Sequence, residues 1–125
     1  VPGAESNVAG EISEVTAICV TLNDYFENID TNVDVMKIDV EGAELAVLRG
    51  ATNIFESNEH IKLVLEWDPS RWAKANASAA EVRVFLEERS FFPTLIDSKG
   101  NTTPTNWEDI SSIKYANILF TRRKR

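Results

Sequence analysis

The apolar and polar positions of this chain change period several times, and each change marks an element. Val33 to Ile38 is a short, mostly apolar, β-branched run that stops at Asp39. After Glu41-Gly42 the spacing turns helical: Leu45, Val47, Leu48 and Ala51 recur, with Glu44 and Arg49 on the wetter side. The pattern predicts a strand, an acidic turn, then a helix from Glu41 to about Glu56, in which Gly50 marks a kink or an early end. Ile61 to Trp67 predicts a second central strand, apolar on both faces as in a buried parallel sheet, and Pro69 stops it. Ala79 to Arg89 is an amphipathic helix, with Val82, Phe85 and Leu86 inward and Glu81, Arg83, Glu87 and Glu88 outward.

Weaker patterns fill the remainder. Val15 to Leu22 predicts a strand leading into a short helix, with Asn23 as its N-cap. Phe92 to Ile96 and Tyr115 to Arg122 predict two further strands, with mostly loop from Asp97 to about Lys114. Residues 1–14, rich in Gly, Ser, Asn and Glu, read as a flexible N-terminal segment. The cluster Arg122-Arg123-Lys124-Arg125 reads as a solvated basic tail, with residues 123–125 beyond the domain proper. Strands alternating with helices predict an α/β fold with a parallel core, and the last helix-free pair predicts an antiparallel hairpin at one edge.

Composition narrows the function classes. A chain of 125 residues with 43% hydrophobic and 26% charged residues is a single globular domain with a core of its own. A net charge of −7 argues against nucleic acid as a partner, because phosphate binding needs a basic surface. No apolar run reaches membrane-spanning length and no basic flank precedes an apolar stretch, so neither a membrane partner nor secretion is expected, and the cytoplasm is the expected compartment. The single cysteine, Cys19, excludes an internal disulfide and is expected to be a small buried hydrophobe. The single histidine, His60, excludes a histidine-rich metal site and is expected to be exposed.

Three carboxylates stand where an α/β sheet carries its chemistry, at the carboxyl ends of parallel strands. Asp39 is read either as a base or ligand facing the crevice or as the N-cap of the following helix. Glu41 and Glu44 fall in the predicted first turn, where anions favour the helix dipole; Glu41 is the better site candidate because Gly42 leaves room for a ligand beside it. Glu66 ends the second strand on the same edge as Asp39, and paired acids there can share base duty or bind a metal. Lys37, inside a strand, needs a partner such as Glu66, or else its head reaches the crevice. Trp67 and Trp72 either wall a substrate pocket or simply pack.

The string Lys37-Ile38-Asp39-Val40-Glu41-Gly42-Ala43-Glu44, then Leu48-Arg49-Gly50-Ala51 and Leu63-Val64-Leu65-Glu66, resembles the FkbM family of S-adenosylmethionine-dependent methyltransferases. Upstream, Val20-Thr21-Leu22-Asn23-Asp24-Tyr25-Phe26 is similar to another family segment, with Asn23 in place of the usual acid, and Asn117-Ile118-Leu119-Phe120 extends the likeness downstream. The resemblance implies a class I, Rossmann-like methyltransferase sheet whose last strand is antiparallel and inserted between its two predecessors. It also implies that Asp39, Glu41 and Glu66 position an acceptor hydroxyl, of a sugar or natural product, or remove its proton. Such enzymes hold S-adenosylmethionine mainly on a glycine-rich loop, whereas the five glycines here, Gly3, Gly10, Gly42, Gly50 and Gly100, are scattered. The expectation is therefore the C-terminal half of the domain at residues 15–122, without its main cofactor loop and with an uncertain divalent-metal requirement. The alternative is a non-catalytic interaction module or one half of a split enzyme. In either case the outer edge of Val33–Ile38 is expected to be unpaired, inviting a homodimer, a cover from Val15–Leu22 or a strong tendency to aggregate.

Overall fold

The computed structural model describes residues 12–122, so the reading of the N-terminal segment at residues 1–11 and of the tail at 123–125 lies outside the described residues. In chain order the elements are α1 (Leu22–Tyr25), β1 (Val35–Ile38), α2 (Glu44–Arg49), α3 (Thr52–Ser57), β2 (Lys62–Trp67), α4 (Pro69–Lys74), α5 (Ala79–Glu88), β3 (Phe91–Ile96), β4 (Thr102–Pro104), α6 (Trp107–Ser111) and β5 (Ala116–Arg122). The five strands form one mixed sheet in the order β1-β2-β5-β3-β4. The fold is α/β, as the alternation predicted, but the parallel core is smaller than expected. Among the described residues only β1 and β2 pair in parallel, while β5 runs antiparallel to both of its neighbours and β4 is antiparallel to β3. The cause is the insertion of the last strand: β5 starts beside the end of β2, with Ala116 opposite Trp67, and so must run back between β2 and β3. The edge hairpin exists, but it is made by β3 and β4 rather than by the last two predicted strands.

The helices bury one face of this sheet. Ile38, Leu63, Leu65, Trp67, Ile118 and Phe120 from the strands meet Leu48, Phe55, Trp72, Val82, Leu86 and Ile110 from the helices, all within a few per cent of full burial. Burial of one such side chain contributes roughly 1.5–3 kcal/mol. The opposite face is left open or half-covered: Val35 is exposed, and Val64, Glu66 and Leu119 are only half-buried. Strand β2 therefore alternates, with Lys62, Val64 and Glu66 outward, instead of being buried on both faces. Trp67 and Trp72 belong to the core, edge to face with ring centroids 4.8 Å apart, so the pocket-wall alternative for them falls.

Local sequence explains most element boundaries. Ser78 and Glu81 form a reciprocal capping box at the start of α5, and the predicted inward trio Val82, Phe85 and Leu86 is the buried set. The predicted Glu41–Glu56 helix is two helices, because Gly50 caps α2 and the chain re-enters as α3 at Thr52. The N-cap of α1 is Thr21, not Asn23. Asn23 instead accepts a hydrogen bond from the Asn53 amide (2.9 Å) and donates to Thr52 Oγ1 (3.0 Å), serving the exposed start of α3. Arg122 is no tail residue: its guanidinium donates to the carbonyls of Arg89 (2.9 Å), Phe55 (2.7 Å) and Asn58 (3.1 Å) and lies over the Phe91 ring.

Two expectations fail in the N-terminal region, and two short elements near the C-terminus are additional to those expected. Residues 13–21 carry neither helix nor strand, and Val15 and Ile18 are 72% and 95% exposed, so no Val15–Leu22 strand forms and none covers β1. An isolated apolar run has no ladder to join without a neighbouring strand. Cys19, in the same run, is exposed rather than buried. Between Asp97 and Lys114 the chain is mostly loop, as expected, but it also forms the short β4 and α6, which the pattern did not show; Asn106 caps α6, and its Trp107 and Ile110 are buried.

Candidate functional site

Strands β1 and β2 are in register with Ile38 opposite Leu65, which sets Asp39 level with Glu66 at the carboxyl edge of the sheet. Because side chains alternate along a strand, these two acids lie on the face opposite the core, the open one. Asp39 is exposed and Glu66 half-buried. A hydrogen bond between the two carboxyls is the largest influence on Glu66, followed by its partial burial; together they hold the Glu66 carboxyl above the usual carboxylate range. The Tyr115 hydroxyl, hydrogen-bonded to the same carboxylate, opposes that rise. Its own pKa is pushed up by that bond and by the negative charge of Glu66. Asp39 does not cap the following helix: α2 begins at Glu44 with Ala43 as a side-chain-free cap.

Glu41 takes a different part. It sits in the turn, not in a helical first turn, with a left-handed φ of 55°, and Gly42 follows at 113°. A left-handed backbone at a residue other than glycine costs of order 1–3 kcal/mol and persists only where neighbours enforce it. The neighbours here are those of α4. Arg71 Nη1 donates to Glu41 Oε2 at 2.7 Å, and Arg71 Nε lies 3.3 Å from Asp68 Oδ2. These carboxylates, Glu41 foremost, raise the Arg71 pKa further. Gly42 abuts α4 on one side, where a Cβ would stand 3.0 Å from the Arg71 carbonyl oxygen, and on another it lines a recess of about 670 Å³ with Leu45, Gly50 and Ala75.

Beneath the turn lies Glu44, fully buried. Its carboxylate accepts from the Gly42 amide (3.0 Å to Oε2, 3.3 Å to Oε1) and from Trp72 Nε1 (3.3 Å). The helix-dipole role expected of Glu44 is thus secondary to a clasp joining the turn to α4. Asp68 caps α4 by accepting from the Arg71 amide (3.3 Å) and the Ser70 hydroxyl (3.2 Å), and Pro69 occupies the first turn. Asp before Pro immediately after a strand is a readable helix start, so α4 and Arg71 were within reach of the sequence. Tyr115 was not, because its link to Glu66 depends on which strand β5 joins.

The structure therefore brings Asp39 and Glu66 together and pairs Glu41 with Arg71 instead. Lys37 is exposed and makes no ion pair with Glu66 among the described residues. His60 is exposed, as expected. Beside Glu41 a polar recess of about 420 Å³ is lined by Asp68, Ser70, Arg71, Lys74 and Ala75. Among the described residues no group of three or more His, Cys, Asp or Glu side chains is placed to hold a metal ion, and no helix is long and apolar enough to cross a membrane.

Chemically, two carboxyls set level at an open strand end can take a proton from a hydroxyl, and an arginine-anchored glutamate in the turn after β1 can orient it. No curated protein and no solved structure matches the chain significantly. A family profile does match, that of the methyltransferase FkbM domain, over residues 2–93. The match takes in residues ahead of Val15 and stops short of the Asn117–Phe120 string. It spans most of the chain and includes Asp39, Glu41, Glu66 and Arg71, and the chain belongs to the FkbM methyltransferase domain family.

Proposed function

We propose that this chain forms the acceptor-facing part of an S-adenosylmethionine-dependent methyltransferase that transfers methyl to a hydroxyl of a sugar or natural product. The observation that carries the reading is the Asp39–Glu66 pair at the carboxyl edge, within a chain of a methyltransferase family. A carboxyl held above its ordinary range is a stronger base when it ionises, and a hydrogen-bonded partner gives the incoming proton a second site. Asp39 and Glu66 thus take the proton of the acceptor hydroxyl, while Glu41, fixed by Arg71, orients the acceptor. S-adenosylmethionine, when bound, supplies the electrophilic methyl group. The described residues do not themselves fit that cofactor. Gly42 faces the Arg71 carbonyl, Gly50 faces Thr21 and Gly100 faces open space, so none forms a cradle beside the carboxylates. A partial domain of Rossmann-like class I type accounts for this, and the strand order with β5 inserted antiparallel supports it.

The test is methyl transfer from labelled S-adenosylmethionine to a panel of hydroxyl acceptors, in the longest encoded protein carrying this chain. Asp39→Asn and Glu66→Gln should each lower turnover by about 10²–10⁴-fold with the fold intact. Full activity in both variants would overturn the base assignment. The 125-residue chain alone should bind S-adenosylmethionine weakly or not at all, and micromolar binding by calorimetry would refute the partial-domain reading.

A second reading, an assembly module or one half of a split enzyme, is favoured by the outer edge of β1. That strand pairs only with β2 among the described residues, and Val35 and Val40 beside the edge are 60% and 41% exposed. Unpaired strand edges are templates for another strand. We take the occupant to be a second copy of this chain, paired edge to edge about a two-fold axis. Sedimentation should then show a dimer; a monomer whose Val35–Ile38 amides exchange freely would count against it.

A further inference from the structure

We propose that the recess beside Glu41 is a binding subsite for a polyol, a ligand with neighbouring hydroxyls such as a sugar, held between the Glu41 carboxylate and the Arg71 guanidinium. The inference deepens the methyltransferase reading and rests on it for the fate of the bound hydroxyls; the binding itself follows from the recess.

Connectivity places the recess next to the carboxyl edge. Ile38 stands opposite Leu65, so Asp39 and Glu66 are level where β1 and β2 end. Two residues beyond each lies a second carboxylate, Glu41 after Asp39 and Asp68 after Glu66. Arg71 of α4 joins these two, with Nη1 2.7 Å from Glu41 Oε2 and Nε 3.3 Å from Asp68 Oδ2. Asp68 is almost fully buried and already accepts from the Ser70 hydroxyl and the Arg71 amide. Ser70, Lys74 and Ala75 complete a recess of about 420 Å³, the size of a small-molecule site.

The lining selects the ligand. Every side chain of it except Ala75 is polar, so an apolar group gains nothing there. Two carboxylates stand against two cations, which favours neither an anion nor a cation. Among the described residues, Glu41 Oε1 and Arg71 Nη2 have no partner, and Lys74 makes no salt bridge. A hydroxyl both donates to a carboxylate oxygen and accepts from a guanidinium, and a carboxylate held beside a guanidinium suits two adjacent hydroxyls. Such bonds to charged groups are the strong ones.

The turn is the second observation. Glu41 keeps its left-handed φ of 55° with its side chain 76% exposed, while the buried Glu44 clasp enforces the turn from below. An exposed ion pair contributes less than such a backbone costs, so the bond to Arg71 does not by itself account for the arrangement. Its effect is to hold a carboxylate and a guanidinium fixed and open at the rim of the recess.

The experiment is an NMR titration of the 125-residue chain with methyl α-mannopyranoside and methyl α-glucopyranoside, with cyclohexanol and inorganic phosphate as the comparison probes. At least one glycoside should shift the Glu41, Gly42 and Arg71 signals saturably. Glu41→Gln and Arg71→Lys, the latter keeping the charge but not the fork, should each weaken that binding by about tenfold or more at unchanged thermal unfolding. The mapping in the unsubstituted chain stands without the variants, should either unfold. No saturable shift with either glycoside would overturn the proposal, as would phosphate or cyclohexanol binding there as well as the glycosides, or variants that bind like the parent. In the methyl-transfer assay, Glu41→Gln should raise KM for a polyol acceptor more than it lowers kcat, the mark of lost binding rather than lost proton transfer. Glycoside binding without methyl transfer keeps the subsite and removes the methyltransferase reading; methyl transfer without glycoside binding at the recess removes the subsite alone.

Discussion

Replacing Glu44 by alanine removes the only acceptors that the described residues give to two interior donors, the Gly42 amide and the Trp72 indole nitrogen. Glu44 is fully buried and Trp72 likewise, so water cannot replace the lost acceptor without opening the turn. A buried donor left unsatisfied costs about 1–3 kcal/mol, and with two such donors a loss of roughly 2–4 kcal/mol is expected after partial relaxation. Glu44→Gln keeps the shape but offers a single carbonyl oxygen to both donors, and about 1–2 kcal/mol is expected for it. Urea unfolding at neutral pH measures both, as a lowered midpoint at unchanged slope. For a domain of this size the alanine loss corresponds to a fall in melting temperature of roughly 8–16 °C. Hydrogen exchange at Gly42 should accelerate in the same variants, because its acceptor is gone. The reasoning is refuted if Glu44→Ala unfolds within about 0.5 kcal/mol of the parent, or if the glutamine variant is the less stable of the two.

Gly42→Ala should destabilise by about 2 kcal/mol in chemical unfolding, because the new methyl meets the Arg71 carbonyl at a left-handed φ; a neutral result would show that α4 can move away. Arg122→Met should cost about 2–4 kcal/mol, since three carbonyls at the ends of α3 and α5 lose their donor. Asp97 accepts from the amides of Lys99 and Asn101, which depress its pKa, so its contribution to the β3–β4 hairpin is present above the ordinary aspartate range and is lost as pH falls through the lowered folded value. Melting curves of Asp97→Asn against the parent should therefore converge in acid and separate toward neutral pH. Glu66 has the opposite sign: its folded pKa is raised, so the native state loses stability as pH rises from the unfolded value through the folded one. Glu66→Gln should flatten that part of the stability–pH curve, and an unchanged slope would contradict the pairing with Asp39.

The chain's local patterns decided its elements where a single period held without interruption. Val82, Phe85 and Leu86 at helical spacing named the buried face of α5, and Val33 to Asp39 named a strand ending in a carboxylate, because those signals need only neighbouring residues. Even the motif from Lys37 to Glu44 was legible, and with it the family. Partners distant in sequence were another matter. That β5 enters between β2 and β3 follows from pairings far apart in sequence, from Trp67 with Ala116 on one side to Leu95 with Ile118 on the other, which no local period encodes. The same holds for Glu44, an ordinary first-turn acid in the sequence, whose burial depends on α4 folding back to deliver Trp72. Val15–Leu22 erred in the other direction: its apolar residues have strand propensity, but a strand exists only when another strand accepts its hydrogen bonds, and none of the described ones does. Propensity and period are properties of a segment; burial, charge pairing and the makeup of a site belong to the packing of segments against each other.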